Sequence, residues 1–341
     1  MSLPLKILSI DQFRGLSEIT LENLGRFNLL VGPNNCGKTS VLEAISLYTN
    51  PLNIEKWFEL ANTREIKFSR ISLIDSLSWL FHHSNQVQQK VYKGQFEIRS
   101  QGNYSACQLN ANFQELQKIE YVNTDTENFQ IVFPGAEVKI SLKYTPGSFS
   151  QQHLEGNESE QPIWGDDEAK LTFTLWHNEK KQWRYREPKV FLLSQYITPF
   201  SHRIERLQLN ILTDSILAGF KEKVIHILQA LDPQIEDIEI LVHGLSPSIY
   251  VKHQKTGLTP LSMFGDGLRK ALTFALAILS VQNGILLIDE IETSIHKSAV
   301  QDIFKWLITV AKEYNVQIFE TTHKNHPLSY ISLLFYNNRK T

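Results

Sequence analysis

Apolar and polar residues alternate in three short stretches at the start of the chain, Leu5 to Phe13, Ser17 to Leu21 and Arg26 to Val31, and this two-residue period predicts three strands. Arg14-Gly15 and Asn23 to Gly25 supply the turns between them. From Thr39 to about Tyr48 the period changes. Val41, Leu42, Ile45 and Leu47 fall at helical spacing, so the glycine-rich segment ahead of them joins a strand to a helix, which Pro51 limits. Helical spacing returns over Ile54 to Ala61 and Ile71 to His82, after which Val91 to Ile98, Tyr104 to Phe113 and Val138 to Tyr144 alternate as strands do.

Thr145 to Glu168 is poor in apolar residues and rich in Ser, Gln, Gly and acids, which predicts an exposed loop without chemistry of its own. Strand-like Lys170 to His177 and Val190 to Leu193 follow, then a helical stretch from about Ser201 to Leu231, too irregular in heptad terms for a coiled-coil arm. The last quarter alternates strand and helix: Ile249 to Lys252, helix Leu268 to Val281, strand Ile285 to Asp289, helix Lys297 to Tyr314, strand Gln317 to Glu320. That rhythm predicts an α/β fold with a mainly parallel core sheet, accompanied by an antiparallel β-rich lobe and a helical lobe.

Composition narrows this little. The longest apolar runs, such as Gly284 to Ile288, fall far short of the ~20 residues that a membrane-spanning helix needs. The two cysteines, Cys36 and Cys107, exclude a disulfide framework or a cysteine-rich zinc site and point to a reducing cytoplasm. A net charge of −2 supplies no global field for nucleic acid. A local nucleic-acid-binding surface is open at His177 to Lys189, where Lys180, Lys181, Arg184, Arg186 and Lys189 interleave with Trp183 and Tyr185, although a solvated basic hairpin is the favoured reading there.

The chemistry sits in four segments. Gly32-Pro33-Asn34-Asn35-Cys36-Gly37-Lys38-Thr39 fits the phosphate-cradling P-loop, between an apolar strand and a helix N-terminus as the mechanism requires. Its backbone amides, with Ser40 just inside the helix, are expected to wrap the phosphates of ATP; Lys38 bridges β- and γ-phosphates and Thr39 ligates Mg²⁺. Ile285 to Glu290 is an apolar strand ending in two acids: Asp289 is expected to hold Mg²⁺ through its water shell, and Glu290 to act as general base on the attacking water. Glu320-Thr321-Thr322-His323 follows another apolar strand and places His323 where it can sense a γ-phosphate. Leu261-Ser262-Met263-Phe264-Gly265-Asp266-Gly267 puts glycines ahead of a helix, either as an anion site or as a helix start capped by Asp266.

Together with Phe13-Arg14-Gly15, Gly265 to Lys270 and Leu287 to Glu292, these segments resemble the RecF/SMC/OLD-like branch of ABC ATPases, nearest to compact ATPases associated with abortive infection and phage defence. The resemblance covers the first ~50 and last ~100 residues well and the middle only in layout. It implies one composite head over 1–341: strands and P-loop in 1–50, a helical and β-rich insertion in 51–200 with a mobile loop at 145–168, a helical lobe in 201–256, and signature, acidic strand and histidine segment in 257–341. It further implies a nucleotide-sandwiched homodimer or higher oligomer, in which Gly265 to Gly267 of one copy closes on ATP held by the other. Ser262 then takes the signature-serine role, although its spacing departs from Leu-Ser-Gly-Gly. His296, in the Thr293 to His296 loop, reads either as a contact across the dimer or as a helix-start residue. The expected glutamine contact to Mg²⁺ is left open among Gln86, Gln88, Gln89 and Gln95, and Arg14 is placed near the nucleotide.

Pro327 to Thr341 leaves no room for a Toprim nuclease, and no long heptad arm or paired His/Cys metal spacing occurs. The expectation is a cytoplasmic ATP-driven switch, without membrane contact, that controls a separate nuclease or toxin in a nucleic-acid-associated or anti-phage system. The alternative is a RecF-like repair ATPase that binds DNA directly; a transporter subunit is disfavoured by the altered signature.

Overall fold

The computed structural model describes residues 3–62, 64, 72–83, 91–123, 128–146, 162–177, 192–229, 232–243, 246–291 and 297–322. In chain order its elements begin with β1 (Ile7–Asp11), β2 (Ile19–Leu21), β3 (Phe27–Val31), α1 (Lys38–Thr49), α2 (Ile54–Asn62) and α3 (Leu73–Ser78). The strands β4 (Lys93–Gln101), β5 (Ala106–Asn123), β6 (Asn128–Tyr144), β7 (Ile163–Trp164), β8 (Glu168–Trp176) and β9 (Ser194–Ile197) follow, then α4 (Glu205–Leu217) and α5 (Lys221–Gln229). The last part holds β10 (Ile235–His243), β11 (Ser246–His253), β12 (Gly257–Pro260), α6 (Asp266–Ser280), β13 (Ile285–Ile288), α7 (Lys297–Glu313) and β14 (Gln317–Thr322).

Two compact units result, one from residues 25–42 and 193–341, the other from 2–24 and 43–192. The first contains a four-stranded sheet, ordered β3-β14-β13-β9, in which every neighbouring pair is parallel. Its central strands are buried on both faces, as a parallel sheet demands: all four residues of β13, each of them apolar, and all six of β14, where Ile318 and Phe319 lie among polar residues, are buried. Helix α6 is the rod of this unit. Its Ala- and Leu-rich sequence favours helix, and its residues are buried continuously from Lys270 to Leu279, where it packs against α4, α5 and α7. An antiparallel sheet of three strands, β10-β11-β12, completes the unit's core with Ile235, Ile238, Ile249 and Val251.

The second unit is built on a seven-stranded sheet ordered β2-β1-β4-β5-β6-β8-β7, antiparallel at every pairing. Trp57 of α2, fully buried, contacts Phe81, Phe96 and Phe173 with ring centroids 5.8 to 6.3 Å apart, so one indole seats the helix on β4 and β8. The carboxylate of Glu43, in α1, is also fully buried. It is neutralised by Arg14 Nε at 2.8 Å and by Arg64, whose Nε and a terminal nitrogen donate at 2.9 and 2.6 Å.

Several expectations need correction. The single helical stretch from Ser201 to Leu231 is a 3₁₀ turn (Ser201–Arg203) followed by α4 and α5; Gly219, at φ +75°, turns the chain between them in a conformation that side-chain-bearing residues disfavour. The strand expected to end at Leu193 is instead β9, beginning at Ser194. The Leu193 carbonyl accepts from Ile285 N at 2.9 Å as the lead-in to that pairing. The helix expected from Ile71 to His82 is confined, among the described residues, to α3, which the Ser72 side chain caps. Strands β5 and β6 extend far beyond Phe113 and Val138 into a long hairpin, and β10 and β12 were not expected.

Gly284 shows how tightly β13 is threaded. A Cβ there would lie 2.2 Å from the Leu193 carbonyl oxygen, a backbone atom that cannot swing aside. Gly284→Ala is therefore expected to cost about 1–3 kcal/mol in urea unfolding by forcing β9 and β13 apart. Gly15→Ala, with nothing within 4 Å of its new methyl group, is expected to stay within about 0.5 kcal/mol of the parent.

Candidate nucleotide and magnesium site

The parallel register brings four strand ends to one edge. Ile288 of β13 lies opposite both Ile197 of β9 and Glu320 of β14, and Val31 of β3 lies opposite Thr322. The carboxyl ends of β3, β13, β14 and β9 therefore lie side by side, at the edge where open parallel sheets bind ligands.

From β3 the chain enters the P-loop. Asn35 and Gly37 take positive φ, 61° and 93°, and a Cβ on Gly32 would meet Cys36 Sγ at 2.7 Å, so the loop curls back on its own start. Pro33, Asn34, Asn35 and Cys36 are exposed, whereas Ser40 is buried in the first turn of α1. The Lys38 ammonium lies inside the curl, 8% exposed, donating to the Gly32 and Pro33 carbonyl oxygens at 2.8 Å each. A cation enclosed by loop backbone at a helix N-terminus fits a polyphosphate.

Asp289 follows β13 and is 7% exposed. Thr39 Oγ1 lies 3.1 Å from both of its carboxylate oxygens. Thr321 Oγ1 donates to Oδ1 at 2.6 Å, Tyr196 Oη approaches Oδ2 at 3.4 Å, and the Asp289 amide is held by the Ile197 carbonyl at 2.8 Å. The Thr39 hydroxyl and the Asp289 carboxylate therefore lie side by side, where the first could ligate Mg²⁺ and the second hold its water shell. Among the described residues no cluster of three or more His, Cys, Asp or Glu gathers anywhere, so the donors suit a cation that takes its remaining oxygens from water and phosphate.

Glu290 comes next, at φ +49°, a conformation that costs a side-chain-bearing residue energy unless its surroundings impose it. Here the surroundings do, because its amide donates to Thr321 Oγ1 at 2.8 Å. One hydroxyl therefore fixes both acids, accepting from the backbone of Glu290 and donating to the side chain of Asp289. Thr321 and Tyr196 were not among the expected site residues; adjacency to His323 was the one signal for Thr321, and Tyr196 had none. His323, His296 and Gln86, Gln88 and Gln89 lie outside the described residues, as does the basic stretch after His177. Gln95 is exposed on β4, and the Arg14 guanidinium is engaged by Glu43 and the Leu60 carbonyl.

The glycine segment opens α6. Ser262 is exposed in a 3₁₀ turn (Leu261–Met263), Gly265 is the N-cap without a side-chain bond, and Asp266 is the first helical residue. A Cβ on Gly265 or Gly267 would meet nothing within 4 Å, so no contact among the described residues demands glycine at either position. The Asp266 carboxylate accepts from the Arg203 guanidinium at 2.9 Å, which holds its pKa below the usual carboxylate range. Burial pushes the pKa of neighbouring His202 down.

Residues 149–326 match the family described as "AAA domain, putative AbiEii toxin, Type IV TA system". An uncharacterised protein of Methanocaldococcus jannaschii is 29% identical over 147 residues, 43% of this chain and 57% of that protein. The DNA replication and repair protein RecF of Vibrio cholerae is 36% identical over 98 residues, 28% of this chain and 24% of RecF. The chain thus spans a little over half of the first relative and about a quarter of the second. Among solved structures, an Smc head bound to the C-winged helix domain of ScpA gives a TM-score of 0.48 at 12% identity, covering 96% of this chain and 91% of that one. RecF with ATP gives 0.41 at 12% identity, covering 95% and 93%.

Because Thr321 orients the carboxylate beside Thr39, Thr321→Val is expected to weaken Mg²⁺-dependent nucleotide binding about 10- to 100-fold in fluorescent-nucleotide titrations. Binding measured in EDTA is expected to stay within about three-fold of the parent, since the P-loop itself is untouched.

Proposed function

The chain belongs to the AAA-domain family that matches its residues 149–326, an ABC-type P-loop ATPase of RecF and SMC type, and on that premise we propose that it binds ATP with Mg²⁺ and hydrolyses it at a site completed by a second copy. The observation that carries the reading is the convergence of Lys38, Thr39, Asp289 and Glu290 at one sheet edge, with the lysine inside its loop and the threonine hydroxyl against the aspartate.

The P-loop amides and Lys38 hold the β- and γ-phosphates. Thr39 and Asp289 hold Mg²⁺, which when bound neutralises charge on the phosphate oxygens. Glu290 aligns a water with the γ-phosphorus and takes its proton as the new P–O bond forms and the bond to the β–γ bridging oxygen breaks, giving ADP and phosphate. His323, two residues beyond Thr321, senses the γ-phosphate. Gly265, Asp266 and Gly267 of the second copy close over the nucleotide, with Ser262 beside them; outward-facing glycines that no internal contact requires support that placement. Such a clamp serves as a cytoplasmic switch acting on a separate effector, a nuclease or toxin, in a defence setting. The RecF match supports a second reading, in which the same clamp acts on DNA directly; stimulation of turnover by duplex DNA, in the absence of any effector, separates the two.

Glu290→Gln is expected to lower ATP turnover about 100- to 10,000-fold while retaining binding, and to form a larger species by light scattering only with ATP and Mg²⁺. If ATP binds this variant without changing its assembly, the composite site is wrong and a self-contained NTPase takes its place.

A further inference from the structure

Among the described residues, the mouth of α6 brings two arginines to one acid. Arg203 and Arg269 stand there beside the buried ring of His202, and Asp266 is the carboxylate they approach. Asp266 makes one close contact, with Arg203 at 2.9 Å; Arg269 approaches it only to 3.7 Å and keeps a buried Nε with no hydrogen-bond partner among the described residues. His202 is 1% exposed, and both of its ring nitrogens lack a hydrogen-bond partner among the described residues; Nε2 points at the same carboxylate from 3.7 Å. A buried ring with unused nitrogens, and a buried guanidinium nitrogen with no acceptor among the described residues, thus lie close to the first residue of a helix, where backbone amides also attract anions. The cluster is built for more negative charge than Asp266 brings.

Arg203 is placed to deliver that capacity outward. It sits on the 3₁₀ turn just after β9, 54% exposed, and its chain neighbours Phe200 and Ile204 are 63% and 50% exposed. Met263, three residues before Asp266, is 76% exposed. Three exposed apolar side chains thus lie within three residues, along the chain, of Arg203 or Asp266, a composition suited to closing on another protein around a buried anion.

We propose that Arg203 is a trans-acting arginine: it contacts the γ-phosphate of ATP held at Lys38 of a second copy, and Asp266 holds it in reserve until that phosphate arrives. The proposal rests on the two-copy reading above and adds a residue to it. A phosphate carries more charge than a carboxylate and three oxygens to share, so Arg203 can pass from Asp266 to the phosphate while Arg269 takes up the carboxylate. The guanidinium then stabilises charge that develops as the terminal phosphate is transferred.

The test combines two inactive variants. Arg203→Ala is expected to bind fluorescent ATP at the Lys38 site within about two-fold of the parent, yet to turn it over about 100-fold more slowly. Arg203→Lys is expected to recover only part of that loss, because a single ammonium cannot replace the planar fork. Lys38→Ala binds no nucleotide but keeps its own Arg203. Mixed in equal amounts, the two variants are expected to regain about a quarter of parental turnover, since half of the dimers are mixed and each of those has one complete site. No recovery on mixing, with Arg203→Ala slow, would place the arginine in its own subunit's site and overturn the proposal. So would parental turnover by Arg203→Ala. If Glu290→Gln fails to assemble with ATP at all, the two-copy reading itself has failed; if it assembles and adding Arg203→Ala leaves the required protein concentration unchanged, the proposal alone has failed.

Discussion

The four-stranded parallel sheet of β3, β14, β13 and β9 sets the constraint on which the candidate site depends. Parallel pairing aligns strand ends, and here Val31, Thr322, Ile288 and Ile197 finish at one edge although they lie far apart in sequence. Four separate segments thereby become neighbours without any contact among themselves having to bring them together. The buried faces of β13 and β14 hold that register, since a one-residue slip would turn each strand's contacts toward the wrong layer. A register fixed by burial is thus what places Thr39 and Thr321 within hydrogen-bonding distance of Asp289, with Lys38 and Glu290 next to them in the chain.

The centre carries its own energetic demand. A carboxylate that is 7% exposed must recover its lost hydration, and Asp289 does so through the hydroxyls of Thr39, Thr321 and Tyr196 and, for its amide, the Ile197 carbonyl. These partners come from α1, β14 and β9, so the same bonds that stabilise the charge also tie the sheet edge together. Hydroxyls suit this task better than amines would. They can donate to a carboxylate and then turn to accept, leaving the carboxylate's negative charge available to a cation. Glu290 is different: its left-handed backbone is imposed by the bond from its amide to Thr321, which points to a side chain whose direction matters more than its contribution to stability.

Much of this was legible in the sequence because the informative residues are contiguous. The P-loop, the apolar run ending at Asp289-Glu290 and the strand ending at Thr321-Thr322 each carry their signal within a dozen residues, and the parallel sheet follows from the strand-helix rhythm. What could not be read depends on pairing. Strand β10 has a register shift between Ile235 and Asp237, so Ile235 and Ile238 both face the core at a spacing that breaks alternation. Beyond the reach of β4 and β8, the β5–β6 hairpin pairs with no further strand among the described residues, and Ile119, Ile131 and Val132 are all exposed, so no polar face stands out against an apolar one. Tyr196 and Arg203 matter because of what lies across space from them, and neither belongs to a local pattern.

The Arg203–Asp266 pair also explains why a surface with surplus positive charge can remain harmless until nucleotide is present. An exposed arginine-carboxylate pair contributes only about 0–1 kcal/mol, because water competes for both groups and the long side chain loses freedom. A contact that weak cannot lock the arginine away, yet it removes a bare guanidinium from the surface and disfavours random anions. A polyphosphate fixed at the facing site meets different terms: it brings several charges, it excludes water as the surfaces close, and it draws on the α6 amides and Arg269 together. The balance therefore tips only when phosphate and a second surface arrive at once. A weak internal pair beside an otherwise unsatisfied buried cluster, His202 and the Arg269 Nε included, has the energetic form of a coincidence detector.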